Sequence, residues 1–246
     1  MDGKLLAKTL FEINAIKFGT FTIKSGRQSP YYIDLRVLPS HPEALSLVGK
    51  AIAELIQNSN SEVNRLCGIP LSGIAIVTSV GAEAGIPSIY TRKEPSIYKE
   101  LVANLKKMSH EKFDSSELPI VDKVLHVIEE MGNLKSHGIK RLVDGEMKNN
   151  DVIGIVDDVV TDAGSKIEAR DMILAEAANK KLNVTVKDVF VLIDREEGGS
   201  QVLSEHGMKL HSAAKISDIV NWLAEQGLLS SLEIKNITDY MSKWRK

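Results

Sequence analysis

The chain has 246 residues, of which 43% are hydrophobic and 26% charged, proportions typical of soluble globular domains. Its 31 Lys and Arg and 33 Asp and Glu residues give a net charge of −2, which argues against nucleic-acid binding through bulk charge. The single cysteine, Cys67, excludes an internal disulfide and a CxxC metal site. Because the sequence shows neither a secretory leader nor a run of about 20 apolar residues, we expect a soluble cytoplasmic protein with no membrane contact.

The first 60 residues combine helical and β-type patterns. Apolar residues at helical spacing predict an amphipathic helix over 2–16. The alternation in 18–26 indicates a short hairpin, and 29–35 is a second β-like run. A further helix is expected to begin at Pro42, since proline suits the first helical turn and the apolar residues that follow share one face.

From residue 63 onward, strands alternate with helices. Apolar runs predict strands over 63–69, 87–91, 151–156 and 184–193. The intervening patterns predict helices over 72–84 and 166–178, and two short helices over 216–243. This alternation predicts an α/β fold with a mostly parallel sheet flanked by helices.

Residues 95–134 interrupt that order. Apolar residues within 97–108 fit one helix and those within 121–131 fit another, with the polar stretch 109–119 between them. The segment is therefore expected to be an inserted helical hairpin rather than a strand–helix unit.

The most informative segment is the string from Ile153 to Ser165, in which an apolar strand ends in Asp157 and Asp158. A turn of small and hydroxyl residues and then a helix follow. Backbone N–H groups in such a turn form a phosphate cradle, to which Thr161 and Ser165 can add hydroxyl donors. The carboxylates would accept hydrogen bonds from sugar hydroxyls or help to position a magnesium complex. The alternative is an ordinary strand–turn–helix with Asp and Ser as helix caps.

This string resembles the phosphoribosyl-pyrophosphate (PRPP) signature of the type I phosphoribosyltransferases, and within that group the chain resembles the orotate phosphoribosyltransferases. Residues 21–34 are similar to the N-terminal hood that closes over orotate in that family, Gly68–Gly73 to its pyrophosphate loop, and Arg92–Glu94 to the start of its mobile catalytic loop. The resemblance implies a single phosphoribosyltransferase domain over 1–246, with a hood at 1–40, the inserted hairpin at about 95–134 and C-terminal helices at 216–243.

The resemblance also implies the reaction. Orotate and PRPP would give orotidine 5′-monophosphate and pyrophosphate in UMP biosynthesis, with Mg²⁺ held mainly through PRPP and not by direct protein ligands. Cationic side chains and the ion would stabilise the leaving pyrophosphate, and a closing lid would exclude water. The family further implies a homodimer that shares the catalytic loop across its interface.

Residue roles follow from the same resemblance. The implied catalytic residues are Asp157, Asp158, Lys93, Lys135 and His137. The implied PRPP site comprises Lys24, Leu71, Ser72, Arg92, Lys93, Lys135, His137, Asp157, Asp158, Val159, Val160, Thr161, Asp162, Ala163, Gly164 and Ser165. The implied orotate site comprises Tyr32, Ile33, Thr161 and Arg195. Tyr32 and Ile33 could instead be core residues of a hairpin, and Arg195 a surface charge at the end of a strand.

The sequence departs from the family pattern at three places. The catalytic loop usually continues directly after Arg-Lys-Glu, but here its second half matches 135–138, after the insertion, and Lys99 is a rival for the loop lysine. Ser72 stands where many relatives have lysine. Ala163 stands where relatives often have glycine, and its methyl group disfavours positive φ.

Two alternative functions are a phosphoribosyltransferase for another base and a non-catalytic PRPP or nucleotide sensor on the same fold. The hood string disfavours the first. The loop cations and the net charge of −2 disfavour the second.

Overall fold

The computed structural model describes residues 2–22, 26–92, 118–134 and 141–244, with side chains left out for 128–134 and 244. The chain forms two compact units, residues 1–91 with 143–246, and residues 92–142. No helix in the described ranges is long and apolar enough to cross a membrane. The single-domain assignment stays a prediction.

The N-terminal part of the larger unit joins helices to a two-stranded sheet. Its elements are α1 (Gly3–Glu12), β1 (Ile16–Thr22), β2 (Gln28–Ile33), a 3-10 helix (Leu35–Ser40) and α2 (Pro42–Asn58). The carboxylate of Asp2 caps α1, and the helix ends before Asn14, which has a φ of 57°. The prediction of a hairpin within 18–26 was wrong, because 16–22 is one strand, with an irregularity between Phe18 and Phe21, that pairs antiparallel with β2.

A six-stranded sheet forms the centre of this unit. Its strands are β3 (Arg65–Gly68), β4 (Ser88–Thr91), β5 (Val143–Asp144), β6 (Asp151–Val160), β7 (Val184–Asp194) and β8 (Lys209–Lys215), in the order β5-β4-β3-β6-β7-β8. Among the described strands of this sheet, β4 and β5 form the one antiparallel pair. The prediction of an α/β fold with a mostly parallel sheet is confirmed.

Helices flank the sheet. They are α2, α3 (Ser72–Ala84), α5 (Gly164–Asn179), α6 (Gly199–Glu205) and α7 (Ile216–Glu225), whereas α8 (Ser231–Trp244) contacts β2 of the two-stranded sheet. Helices α2 and α3 pack on each other and on strands of the sheet, while α5 contacts β6 and β7. Consecutive residues of β7 from Val189 to Ile193 are fully buried, so both faces of this strand are covered, as expected for a parallel sheet.

The smaller unit contains α4 (Leu118–Leu134), which covers the second helix expected between 95 and 134. Leu125 is buried, whereas Ile120, Val124 and Val127 are exposed. The first expected helix, over 97–108, lies outside the described residues, so the hairpin stays a prediction.

A buried ion pair joins the beginnings of β3 and β6. The Nε atom of Arg65 lies 2.5 Å from Oδ2 of Asp151, which also accepts a hydrogen bond from the backbone N–H of Lys148. Both side chains are 7% exposed. Arg65→Met leaves the Asp151 carboxylate buried without its cation, and we expect the free energy of unfolding to fall by about 3–5 kcal/mol in urea titration. The exposed Lys4–Glu225 pair supplies the control, since Lys4→Met should leave the unfolding midpoint nearly unchanged. Equal midpoint shifts in both variants would contradict the prediction.

Candidate active site

A cavity of about 320 Å³ opens at the carboxyl edge of the parallel sheet. Its lining residues come from the ends of β2, β3, β6 and β7 and from the starts of α3 and α5. They are Ile33, Ile69, Pro70, Ser72, Asp157, Asp158, Val159, Thr161, Ser165, Lys166 and Arg195. This edge is where ligands bind in open α/β sheets, because the loops that follow the strands converge there.

The end of β6 brings two carboxylates into the cavity. Asp157 is 5% exposed and Asp158 is half-buried. The Oγ of Ser72 donates to Oδ2 of Asp158 at 2.6 Å, and the N–H of Val159 donates to its Oδ1 at 2.7 Å. The N–H of Asp158 donates to Oδ1 of Asp157. Ser72 thus contacts the signature carboxylate directly.

Lys166 is the cation nearest to these carboxylates among the described residues of this cavity, and the sequence reasoning missed it. Its ammonium group lies 2.7 Å from Oδ2 of Asp157 and donates to the carbonyl of Val159 at 2.6 Å. Burial raises the pKa of Asp157 to about 6, although the charge of Lys166 opposes the rise and that of Asp158 adds to it. The missed signal was a lysine in the first turn of the predicted signature helix, where helix dipoles disfavour cations.

The turn between β6 and α5 has the form expected of a phosphate cradle. Thr161 and Ser165 line the cavity, while Val160 is buried and Asp162 accepts a hydrogen bond from the N–H of Gly164. Ala163 precedes the helix with φ 66° and ψ −1°. The first N–H groups of α5 lie in this turn, and such groups bind anions.

Ala163 occupies a left-handed conformation that suits glycine, as the departure from the family pattern suggested. The side chain of an L-residue there costs about 1–2 kcal/mol, and the extra freedom of an unfolded glycine offsets about half of this. We therefore expect Ala163→Gly to raise the free energy of unfolding by about 0.5–1 kcal/mol in urea titration. Ala177→Gly is the matched control. Ala177 lies in the last turn of α5, in a right-handed helical conformation, so glycine there is expected to lower the free energy of unfolding. A loss of stability in Ala163→Gly would contradict the prediction.

Arg195 follows β7 and lies between the hood and the sheet. Its guanidinium is 5.0 Å above the ring of Tyr31, and its Nη2 atom is 2.8 Å from Oε1 of Glu197. The Oε2 of Glu197 accepts a hydrogen bond from Arg27 at 2.9 Å. Glu197 thus links an arginine of the hood to the arginine of the cavity. Arg195 is 10% exposed by its side chain, so it is not a surface charge at the end of a strand.

Strand alternation separates the two hood residues that were expected at the orotate ring. Ile33 lines the cavity, and the fully buried Tyr31 lies on the same face of β2. Tyr32 points to the other face, where its ring packs on Phe21 with centroids 5.7 Å apart. Tyr32 is not among the described residues that line the cavity, and its contact with orotate stays a prediction.

The remaining candidate residues lie elsewhere. Leu71 is 75% exposed and does not line the cavity. Arg92 belongs to the smaller unit. Four predicted site residues, and the rival Lys99, lie outside the described residues; the four are Lys24, Lys93, Lys135 and His137. Their roles stay predictions. Ile69 and Pro70 line the cavity and were not among the predicted site residues, although both lie in Gly68–Gly73, the segment that resembles the pyrophosphate loop.

The fold and this cavity define an α/β protein whose site lies at the carboxyl edge of a parallel sheet. No protein-family model matches the chain. The orotate phosphoribosyltransferase of Saccharolobus solfataricus is 30% identical over 237 residues, which cover 96% of this chain and 96% of that protein. The chain belongs to the orotate phosphoribosyltransferase family.

Two further comparisons describe the extent of the similarity. The uridine 5′-monophosphate synthase of Bos taurus is 26% identical over 97% of this chain, which spans 40% of that relative's length. The crystal structure of orotate phosphoribosyltransferase from Aeropyrum pernix has a TM-score of 0.63 and 23% sequence identity, and covers 92% of this chain and 99% of its own. The first match spans less than half of a longer protein and the second spans a whole one.

Proposed function

We propose that this chain transfers the phosphoribosyl group of PRPP to orotate, which yields orotidine 5′-monophosphate and pyrophosphate in UMP biosynthesis. One observation carries the proposal: a single cavity contains the signature carboxylates, the hydroxyls of the phosphate-type turn, a hood residue and Arg195. The 30% identity to a full-length orotate phosphoribosyltransferase supports it.

The cavity's charges suit the parts of the two substrates. The N–H groups at the start of α5, with Thr161 and Ser165, would hold the 5′-phosphate. Asp158, anchored by Ser72, would accept hydrogen bonds from the ribose hydroxyls. Arg195 would pair with the anionic orotate, and Ile33 would pack against its ring. These contacts would hold the ring nitrogen in line with the anomeric carbon.

In the reaction, the bond between the anomeric carbon and the pyrophosphate oxygen breaks, and its electron pair leaves with pyrophosphate. A bond from the orotate ring nitrogen to the anomeric carbon forms, and the proton of that nitrogen passes to one of the two signature carboxylates, Asp157 or Asp158. Positive charge that develops on the sugar in the transition state would be stabilised by the nearby Asp157 and Asp158 carboxylates.

We propose that Mg²⁺ enters with PRPP. The carboxylate oxygens of Asp157 and Asp158 already accept bonds from Lys166, Ser72 and backbone N–H groups, which suits contact with the sugar better than direct coordination. Within the described ranges, no group of three or more His, Cys, Asp or Glu residues is arranged to hold a metal. When bound, the ion would neutralise charge on the leaving pyrophosphate.

The proposal includes a homodimer, a catalytic loop shared across its interface, and a cytoplasmic location. The loop would include Lys93, Lys135 and His137. A sedimentation measurement that gives the mass of one chain at assay concentration would contradict the dimer.

The test of the activity is an absorbance assay of orotate consumption with PRPP and Mg²⁺, run beside uracil, hypoxanthine and adenine. We expect orotate alone to be consumed, and only when PRPP and Mg²⁺ are both present. Consumption of another base would favour a different phosphoribosyltransferase. PRPP binding without turnover of any base would favour a sensor.

A further inference from the structure

Lys166 stands where a lysine is costly. It is the third residue of α5, in the first helical turn, where the helix dipole disfavours positive charge. Its side chain is 5% exposed, and burial of an ammonium group also costs free energy. A residue of a cavity lining that is unfavourable both for the helix dipole and for burial of charge is a candidate for a functional role.

The contacts of Lys166 account for all three of its hydrogens. The ammonium group bonds to Oδ2 of Asp157 at 2.7 Å, to the carbonyl of Val159 at 2.6 Å and to Oγ of Ser165 at 3.3 Å. The lysine therefore joins the carboxylate end of β6 to the start of the phosphate-type turn. It fixes the Asp157 side chain and balances its charge.

The charge of the cavity shows why this balance matters. Its lining includes two carboxylates, Asp157 and Asp158, and two cations, Lys166 and Arg195. Without Lys166 the lining would carry more negative than positive charge, directly beside a turn that is suited to a phosphate. A polyanionic ligand would then be repelled by the Asp157 carboxylate, which is 5% exposed and is therefore poorly screened by water.

We propose that Lys166 is a positioning residue that neutralises Asp157, so that a carboxylate can stand beside the phosphate groups of the phosphoribosyl donor. Lys166 affects donor binding through its ion pair with Asp157 and not through contact with the donor. The identity of the donor rests on the proposed function, whereas the charge balance rests on the contacts alone.

The test measures PRPP binding by isothermal titration calorimetry, with Mg²⁺ and without orotate, for the wild type and for Lys166→Met. We expect the variant to bind PRPP about 10- to 100-fold more weakly at pH 9. The loss should be smaller at pH 7, because a buried Asp157 without its cation takes up a proton more readily and becomes neutral. A purely structural role would not produce this dependence on pH.

The double variant Lys166→Met/Asp157→Asn separates this role from others. It removes both charges and leaves no unpaired carboxylate, so we expect it to fold and to recover most of the lost PRPP affinity at pH 9. Lys180→Met is the matched control, since Lys180 caps the other end of α5 and pairs with Glu176. It should bind PRPP as the wild type does.

The outcomes are distinct. Unchanged PRPP affinity in Lys166→Met overturns the inference, and so does a loss that Asp157→Asn does not relieve, because that result would mean that Lys166 contacts the donor itself. Wild-type protein that binds no PRPP would overturn the proposed function instead. Thermal unfolding of each variant confirms that affinities are compared between folded proteins.

Discussion

Replacing Arg195 by methionine is expected to lower kcat/KM for orotate by about 10²- to 10³-fold, the size of effect seen when one preorganised hydrogen-bond donor is removed from an active site. The guanidinium lies in a water-poor position between the hood and the sheet, where its side chain is 10% exposed. Charge-assisted hydrogen bonds to an anionic substrate are strong in such a position. Methionine preserves much of the side chain's length while removing the charge.

The change should fall on orotate and not on PRPP. Steady-state kinetics with each substrate varied in turn should show a higher KM for orotate, with PRPP affinity, measured by calorimetry without orotate, close to that of the wild type. Arg170→Met is the control, because Arg170 on α5 bonds the carbonyl of His206 and is not among the lining residues. An Arg195→Met enzyme with unchanged kcat/KM for orotate would contradict the assignment.

Replacing Glu197 should also raise the KM for orotate, but by less than replacing Arg195. Its carboxylate bridges Arg195 and Arg27, so Glu197→Gln keeps the shape of the bridge and weakens both ion pairs. We expect a rise of about tenfold in the KM for orotate, in line with the loss of one charge-assisted contact. A larger effect than that of Arg195→Met would mean that Glu197 itself contacts the substrate.

The sheet and the signature turn were predictable because their information is local. The apolar run before Asp157 and Asp158 and the small residues after it predicted a strand, a turn and a helix, and β6 and α5 have this order. The pattern predicted a strand over 151–156, which is too short, because β6 continues to Val160. Carboxylates ordinarily end a strand, but these two are held by backbone and side-chain donors and so remain within the extended segment.

The elements that were missed depend on tertiary contacts. Strand β8 includes His211 and Lys215 and has no clear apolar alternation, yet it pairs in parallel with β7, in which Val189 to Ile193 are fully buried. The short β5 and α6 likewise lack a periodic signal. Their conformations follow from neighbours that are distant in sequence, which a local pattern does not contain.

The candidate site was predictable in its polar residues and not in their supports. The aspartates, Thr161, Ser165 and Arg195 were recognisable from the strings around them. The residues that contact and hold these side chains could not be predicted. Tyr31 belongs to the two-stranded sheet and packs against Arg195, and Glu197 pairs with an arginine 170 residues earlier in the chain. Such pairings are set by the folded arrangement of β2 and β7, so no motif spacing reports them.

Asp157→Asn is expected to lower kcat by about 10²-fold at pH 8 and to alter the pH dependence of both activity and stability. In the wild type, kcat/KM for PRPP should rise with pH through about 6, because the Asp157 carboxylate must be ionised to stabilise the positive charge that develops on the sugar in the transition state, and its pKa is raised to about 6. The variant should lack this acidic limb. An identical limb in the variant would show that another group titrates there.

The same raised pKa fixes the sign of the stability effect. An unfolded Asp157 titrates near 3.8, whereas the folded group titrates near 6, so the folded state binds the proton more tightly. The contribution of Asp157 to the free energy of unfolding is present below pH 3.8 and is lost as pH rises through 6. The change is about 3 kcal/mol, because the pKa differs by about two between the unfolded and the folded state. Urea titrations of wild type and Asp157→Asn at pH 4 and pH 7 isolate this contribution. The free energy of unfolding of the variant, relative to that of the wild type, should be higher at pH 7 than at pH 4. The opposite difference would show that the Lys166 ion pair outweighs burial and lowers the pKa of Asp157.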